Sequence, residues 1–331
     1  ARFSKTKYAI SATAETGGSV NGASSYEYGS SVTLTATPSA GYTFAGWYEG
    51  ENRVSTSASY TFTCTGARTL VAKYNINKYS VTASAGSGGS ASGSGTFTHG
   101  SSVTVTATPS TGYTFAGWYE GENRVSTSAS YTFTITATRS LEARYTINRY
   151  TLTVTSNNTS YGTVSGGGSY DYGATPTLTA TPKAASGNIS YSFVKWNDNN
   201  TSASRSVSVT GNATYTATFQ KEEWIYSLTT TPDYLSFASS GGTKSCTVTA
   251  KRTKYIDGSV TSTVETVAWT YSLPDGSGFT VTNGGSTCTV TASENMSTSR
   301  RAATLTLSAG GESFIIDLEQ DRKYNVEVGI E

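Results

Sequence analysis

One histidine, His99, serves all 331 residues, so no second imidazole exists for a His-based metal site or proton relay. Charge is equally thin. The charged fraction is 14% and the net charge +1, which leaves no electrostatic footprint for DNA, RNA or an anionic membrane. No apolar run approaches the about 18 residues that a membrane-spanning helix needs. Lys, Glu and Leu are sparse, and no segment sustains a 3.6-residue apolar period, so the sequence predicts essentially no helix. Three cysteines are too few and too scattered for a paired-cysteine metal site, and their odd number leaves at least one thiol unpaired within the chain.

What is abundant is Ser, Thr, Gly and Tyr, a composition suited to exposed β-structure with tight turns. It is organised as a tandem array. The 23 residues from Gly41 to Thr63 recur without a change from Gly112 to Thr134. Around them Tyr8, Tyr79 and Tyr150 open three segments at a spacing of 71 residues. Each copy repeats a Tyr-Gly or His-Gly (Tyr28, His99, Tyr172), an ATP ending at Pro38, Pro109 or Pro182, then Trp47, Trp118 or Trp196, and a closing aromatic at Tyr74, Tyr145 or Phe219. A fixed period of this length marks a repeat architecture, whose usual business is spacing or multivalent display.

Within each copy apolar residues alternate with Ser or Thr, as in Val32-Thr33-Leu34-Thr35-Ala36, which predicts half-buried strands. Each module reads as a small antiparallel meander of about four strands. The joints Asn75-Ile76-Asn77 and Thr146-Ile147-Asn148 are short and predict a semi-rigid rod; Gln220-Lys221-Glu222-Glu223 is a charged joint after which the period vanishes. Seven short alternating segments follow, between about Leu235 and Glu319, the pattern of an immunoglobulin-like sandwich. The expected layout is therefore all-β: modules over 1–75, 76–146 and 147–221, a sandwich over 222–322, and a strand or tail over 323–331. In the tail Val326, Val328 and Ile330 share one face and are candidates for strand docking, within the chain or onto a neighbour.

The ordered phrases Tyr-Gly, VTLTATP, GYTFAGWY and closing aromatic resemble the divergent internalin-B B-repeat family over about residues 8–220. The third copy departs from it, with KAASGNISYSFVKW in place of SAGYTFAGW and Lys195 where Gly46 and Gly117 stand. The segment LSFASSGGTKSCTVTA, with AWTYSL and the closing LEQD, resembles a BACON-type domain of gut Bacteroidetes over about 226–322. The resemblances imply extracellular display: spacer and adhesion repeats, and an Ig-like module associated with carbohydrate or mucin binding. Both families also occur in virion proteins of phages infecting such bacteria. Neither implies an active site.

The residues agree. His99 replaces a tyrosine, so its site works without an imidazole, and the few acids sit in turns or joints; no catalytic residues are assigned. Asn197-Asp198-Asn199-Asn200 and Asp275-Gly276-Ser277-Gly278 offer oxygens as a calcium loop would, but lack a loop's spacing, and Asx turns produce such sequences unaided. No metal or cofactor is expected. Cys64 is matched by Ile135 in the next copy and reads as core; Cys246 and Cys288 read as a bridge or as two buried thiols. Trp47, Trp118, Trp196 and Trp269 read as core. Tyr48, Tyr119, Tyr255 and Tyr271 are the candidate ligand-binding aromatics, because Tyr faces stack on sugars. The expected partners are a host or mucin glycan or a surface protein, at the cell surface; the alternative is a phage virion or filament component that self-associates. An accessory module of a polysaccharide-degrading enzyme is a third reading.

Overall fold

The computed structural model describes residues 4–324, and among these every regular element is a β-strand. The fold is all-β. Val326, Val328 and Ile330 lie outside the described residues. The chain divides into two compact units, residues 1–150 with 171–174, and 151–170 with 175–331.

In the first unit each copy of the repeat folds in the same way, and not as a four-strand meander. The first module has eight strands in two sheets, one of five strands and one of three. Ser31–Pro38 pairs antiparallel with Gly18–Asn21 and Ser59–Thr63 in the small sheet. The larger sheet sets the opening strand Lys7–Ala14 parallel to the closing strand Arg68–Ile76, Ile10 opposite Arg68 through Ala14 opposite Ala72. Alternation explains the layers: Val32, Leu34 and Ala36 are buried between the sheets while the intervening threonines face water. Trp47 is fully buried at the centre with Leu70, Ala72 and Cys64, and its indole N–H donates to the Ala58 carbonyl at 3.3 Å. Trp118 repeats this in the second module against Ile135, donating to Ala129 at 3.2 Å.

A single residue, Asn77, separates Arg68–Ile76 from the second module's first strand, Lys78–Ala85. Its N–H donates to the Gly41 carbonyl at 2.8 Å, its amide oxygen accepts from the Thr43 hydroxyl at 2.6 Å, and its carbonyl accepts from the His99 N–H at 2.8 Å. The lone histidine is thus a joint residue. Its ring lies so close over Gly41 (φ +82°) that a Cβ there would sit 1.9 Å from it. Asn148, Gly112, Thr114 and Tyr172 reproduce the arrangement, with a Cβ on Gly112 meeting the Tyr172 ring at 2.0 Å.

The Arg68 guanidinium straddles the two sheets, 2.8 Å from the Glu49 carboxylate and 4.5 Å from the Phe62 ring centroid; Arg139 does the same with Glu120 and Phe133. These arginines hold Glu49 and Glu120 below the usual carboxylate range. A folded-state pKa below the unfolded one gives stability that is complete above the unfolded value and disappears as pH falls through the folded one. The melting temperature is therefore expected to hold from pH 7 to about 5 and fall below about pH 4, each screened pair contributing no more than about 1 kcal/mol. Thermal unfolding of E49Q/E120Q against pH checks this: the double variant should lose part of the acid slope.

The second unit contains the third module and the C-terminal sandwich. Its principal element is Ala213–Thr231, a strand of 19 residues. The first part pairs with Arg149–Ser156 and Ile189–Trp196, and the rest with Gly242–Ile256. Gln220-Lys221-Glu222-Glu223, expected as a joint, is the middle of this strand. Its charges are matched by neighbours, Lys221 with Glu223 at 2.7 Å and Glu222 with Lys254 at 2.8 Å. Lys195 occupies the bulge that Gly46 and Gly117 occupy in the other copies, and the strand forms regardless.

Behind the sheet that carries Gly242–Ile256, Thr287–Ala292 and Phe279–Asn283 lies a second sheet, ordered Tyr234–Phe237, Glu312–Gln320, Arg301–Ala309, Thr270–Ser272. Between them Leu228, Val248, Trp269, Val290, Leu305, Leu307 and Ile316 form the core. All seven strands read from the sequence in this region are present. Cys246 and Cys288 face each other across the sheet as free thiols, and burial raises both pKa values, that of Cys288 to about 12.

Candidate functional site

The sequence reading missed one hairpin, and it carries several exposed apolar residues. Gly242–Ile256 runs past the sandwich, turns at Asp257-Gly258, and returns as Ser259–Thr266. Both turn residues have positive φ, 48° and 82°, the requirement of a tight hairpin that Asp-Gly meets best. That dipeptide was the signal available in the sequence.

Three strands lie side by side here, so laterally paired residues share a face. Ile225, Thr253 and Val264 form one row, and Glu223, Tyr255 and Val260 the next. Ile225 is 45% exposed, Val264 53% and Val260 65%, with Tyr255 half-buried among them. This is an apolar island with an aromatic in it, flanked by Glu223 and Lys251. The opposite face is closed: Arg252 stacks 4.3 Å from the Trp224 ring centroid and is bound to Glu265. Ser259–Thr266 pairs only with Gly242–Ile256 among the described residues, leaving its other edge for a further strand.

The other candidate tyrosines stand elsewhere. Tyr48 and Tyr119 are half-buried on Tyr42–Glu49 and Tyr113–Glu120, each with one ring face taken by a cation: Lys73 at 4.8 Å and Arg144 at 4.4 Å. Tyr271 is exposed on Thr270–Ser272, its hydroxyl donating to the Val281 carbonyl at 3.0 Å. Tyr271 lies in a different sheet from Tyr255.

Asn197-Asp198-Asn199-Asn200 is a turn in which the Asp198 and Asn200 side chains serve nearby backbone. The Asn200 N–H donates to Asp198 and the Ser202 N–H to Asn200, while Arg205 binds the Asp198 carboxylate and lowers its pKa. Among the described residues no group of three or more His, Cys, Asp or Glu is placed to hold a metal ion, and no helix is long and apolar enough to cross a membrane.

A family model described as the divergent InlB B-repeat domain matches residues 8–78, 79–149 and 152–223. Two curated relatives come from Evansella cellulosilytica. One, bearing the name of a Gly-rich membrane protein, is 32% identical over 132 residues, 40% of this chain and 15% of its own length. The other, bearing the name of a membrane protein, is 29% identical over 181 residues, 52% of this chain and 26% of its own. The chain thus spans about a quarter or less of the relatives it matches. Among solved structures, the titin I-band fragment I67–I69 aligns over 96% of this chain and 97% of its own at 8% identity and a TM-score of 0.22. The eight N-terminal Ig domains of Down syndrome cell adhesion molecule align over 96% and 48% at 7% identity and a TM-score of 0.18. Scores so low carry no argument.

Proposed function

The chain belongs to the divergent InlB B-repeat family, and from that premise we propose a non-enzymatic protein displayed at the cell surface, in which the repeats form a stalk that presents a BACON-type Ig-like domain over residues 222–322. That domain binds a glycan or a surface protein. The membrane-protein names of the relatives support the location. The observation that supports binding is the exposed island of Ile225, Tyr255, Val260 and Val264.

A sugar ring or an apolar side chain would lie on Tyr255 and Val264, with Glu223, Lys251 and Thr253 bonding its polar rim. The test is a glycan array and a surface-protein screen with the full chain and with Tyr255→Ala. Saturable binding is expected, weakened roughly tenfold by the variant, since an aromatic contact contributes about 0.5–1.5 kcal/mol beyond its buried area. Saturable binding that Tyr255→Ala and Val264→Ser both leave intact would remove the island from the account. The second reading, a virion or filament component, is favoured by the open edge of Ser259–Thr266. Concentration-dependent association in light scattering, without ligand binding, would select it.

A further inference from the structure

We propose that each repeat is a tension-bearing element, with the parallel pair of its opening and closing strands acting as a clamp loaded in shear. The evidence is the same in three places. Ile10–Ala14 runs parallel to Arg68–Ala72, Val81–Ala85 to Arg139–Ala143, and Leu152–Ser156 to Ala213–Ala217, five register pairs each time. One further backbone bond prolongs each ladder: Glu15 N–H to Ala72 at 3.0 Å, Gly86 N–H to Ala143 at 2.9 Å, Asn157 N–H to Ala217 at 2.9 Å.

Parallel pairing sets the direction in which these bonds are stressed. A module is entered at the start of its first strand and left at the end of its last, and in a parallel pair those points lie at opposite ends of the ladder. Pulling on them slides one strand along the other, so every bond of the ladder bears load together; an antiparallel pair in the same place would open one bond at a time. The joints pass force without slack, because only Asn77 stands between Ile76 and Lys78, and only Asn148 between Ile147 and Arg149.

Side chains reinforce the third clamp. The Asn157 amide donates to the Phe219 carbonyl at 3.0 Å and accepts from the Phe219 N–H at 2.8 Å, while the Thr155 and Thr216 hydroxyls meet at 3.0 Å across the pair. In every module the clamp also covers the core, since Leu70 and Ala72, Leu141 and Ala143, and Ala217 are buried on the closing strand. Sliding the strands therefore exposes the core in the same step.

Single-molecule pulling on the full chain tests this through two handle pairs on the first module. Thr6→Cys with Asn75→Cys loads the strands lengthwise; Thr6→Cys with Ala67→Cys pulls at neighbouring ends of the same strands and peels them. All three handle positions are exposed, and the native Cys64, Cys246 and Cys288 are buried. Both pulls release about 200 Å or more of chain, at about 3.6 Å per residue. The lengthwise pair is expected to need roughly twice the force or more, because its bonds share the load. Equal forces in the two geometries would overturn the clamp. The result is independent of ligand binding: a chain that binds nothing would still show the difference, and a binder without it would still support surface display.

Discussion

Trp118→Ala is expected to cost about 3–5 kcal/mol and to unfold the second module ahead of the rest of the chain. The indole is fully buried, meets Phe115 edge-on at 6.1 Å between ring centroids, and donates to the Ala129 carbonyl. No neighbour can refill the space, because Leu141, Ala143 and Ile135 are held on strands and turns fixed by both sheets. A module of some 70 residues has about 4–10 kcal/mol of stability at the usual density per residue, so this one truncation removes a large part of it. Denaturant unfolding should separate into two transitions, the earlier one belonging to the second module. Trp47→Ala should do the same to the first module, whose core phrase is identical. A loss below about 1 kcal/mol in either variant would show that the ring is not the centre of its core.

The second large effect is expected at Gln320, the glutamine of the LEQD phrase. Its side chain is buried, and its amide N–H groups reach the carbonyls of Ala238 at 3.1 Å, Ser239 at 3.3 Å and Ser293 at 2.7 Å, while its oxygen accepts from Arg301 at 3.0 Å. The buried Asn295 continues the network, donating to Ser299 and Asp321, each at 3.0 Å. The FASSGG and LEQD phrases, distant in sequence, are thus tied together by this side chain. Gln320→Ala removes four buried hydrogen bonds and should cost about 2–4 kcal/mol at about 0.5–1.5 kcal/mol for each, although the Ala238, Ser239 and Ser293 carbonyls keep the Gly241 N–H, the Asn295 N–H and Arg301 as donors. Urea unfolding measures it. Glu319→Gln, on the neighbouring outward-facing position, should change stability little; a Gln320→Ala cost equally small would show that the network closes without it.

Much of the fold was legible because alternation is a local signal. Val103-Thr104-Val105 and its counterparts announce strands with one wet face, and a Cys64 that can be Ile135 announces a core position. Strand partners are not local. Nothing in Ile10 to Ala14 says that its neighbour is the stretch beginning at Arg68, so a meander was the natural expectation and the parallel pair was missed. Four-residue strands such as Gly18–Asn21 and Ser24–Glu27 are also too short to display a period. The charges of Gln220–Glu223 looked like a linker because Lys254, the partner of Glu222, lies on a strand that arrives some thirty residues later. The candidate site was half visible: Tyr255 was singled out as an aromatic, but the valines that surround it come from a hairpin announced only by Asp257-Gly258.

The duplicated phrase has a consequence for how the chain reaches this structure. Gly41–Thr63 supplies the middle strands of the first module and Gly112–Thr134 those of the second, with the same register against nearly the same frame. During refolding either copy satisfies either frame, so adjacent modules can exchange their middles and form a long-lived misfolded pair, a hazard of multidomain chains with like neighbours. The third module carries KAASGNISYSFVKW in place of the shared phrase and so takes no part in an exchange of identical segments.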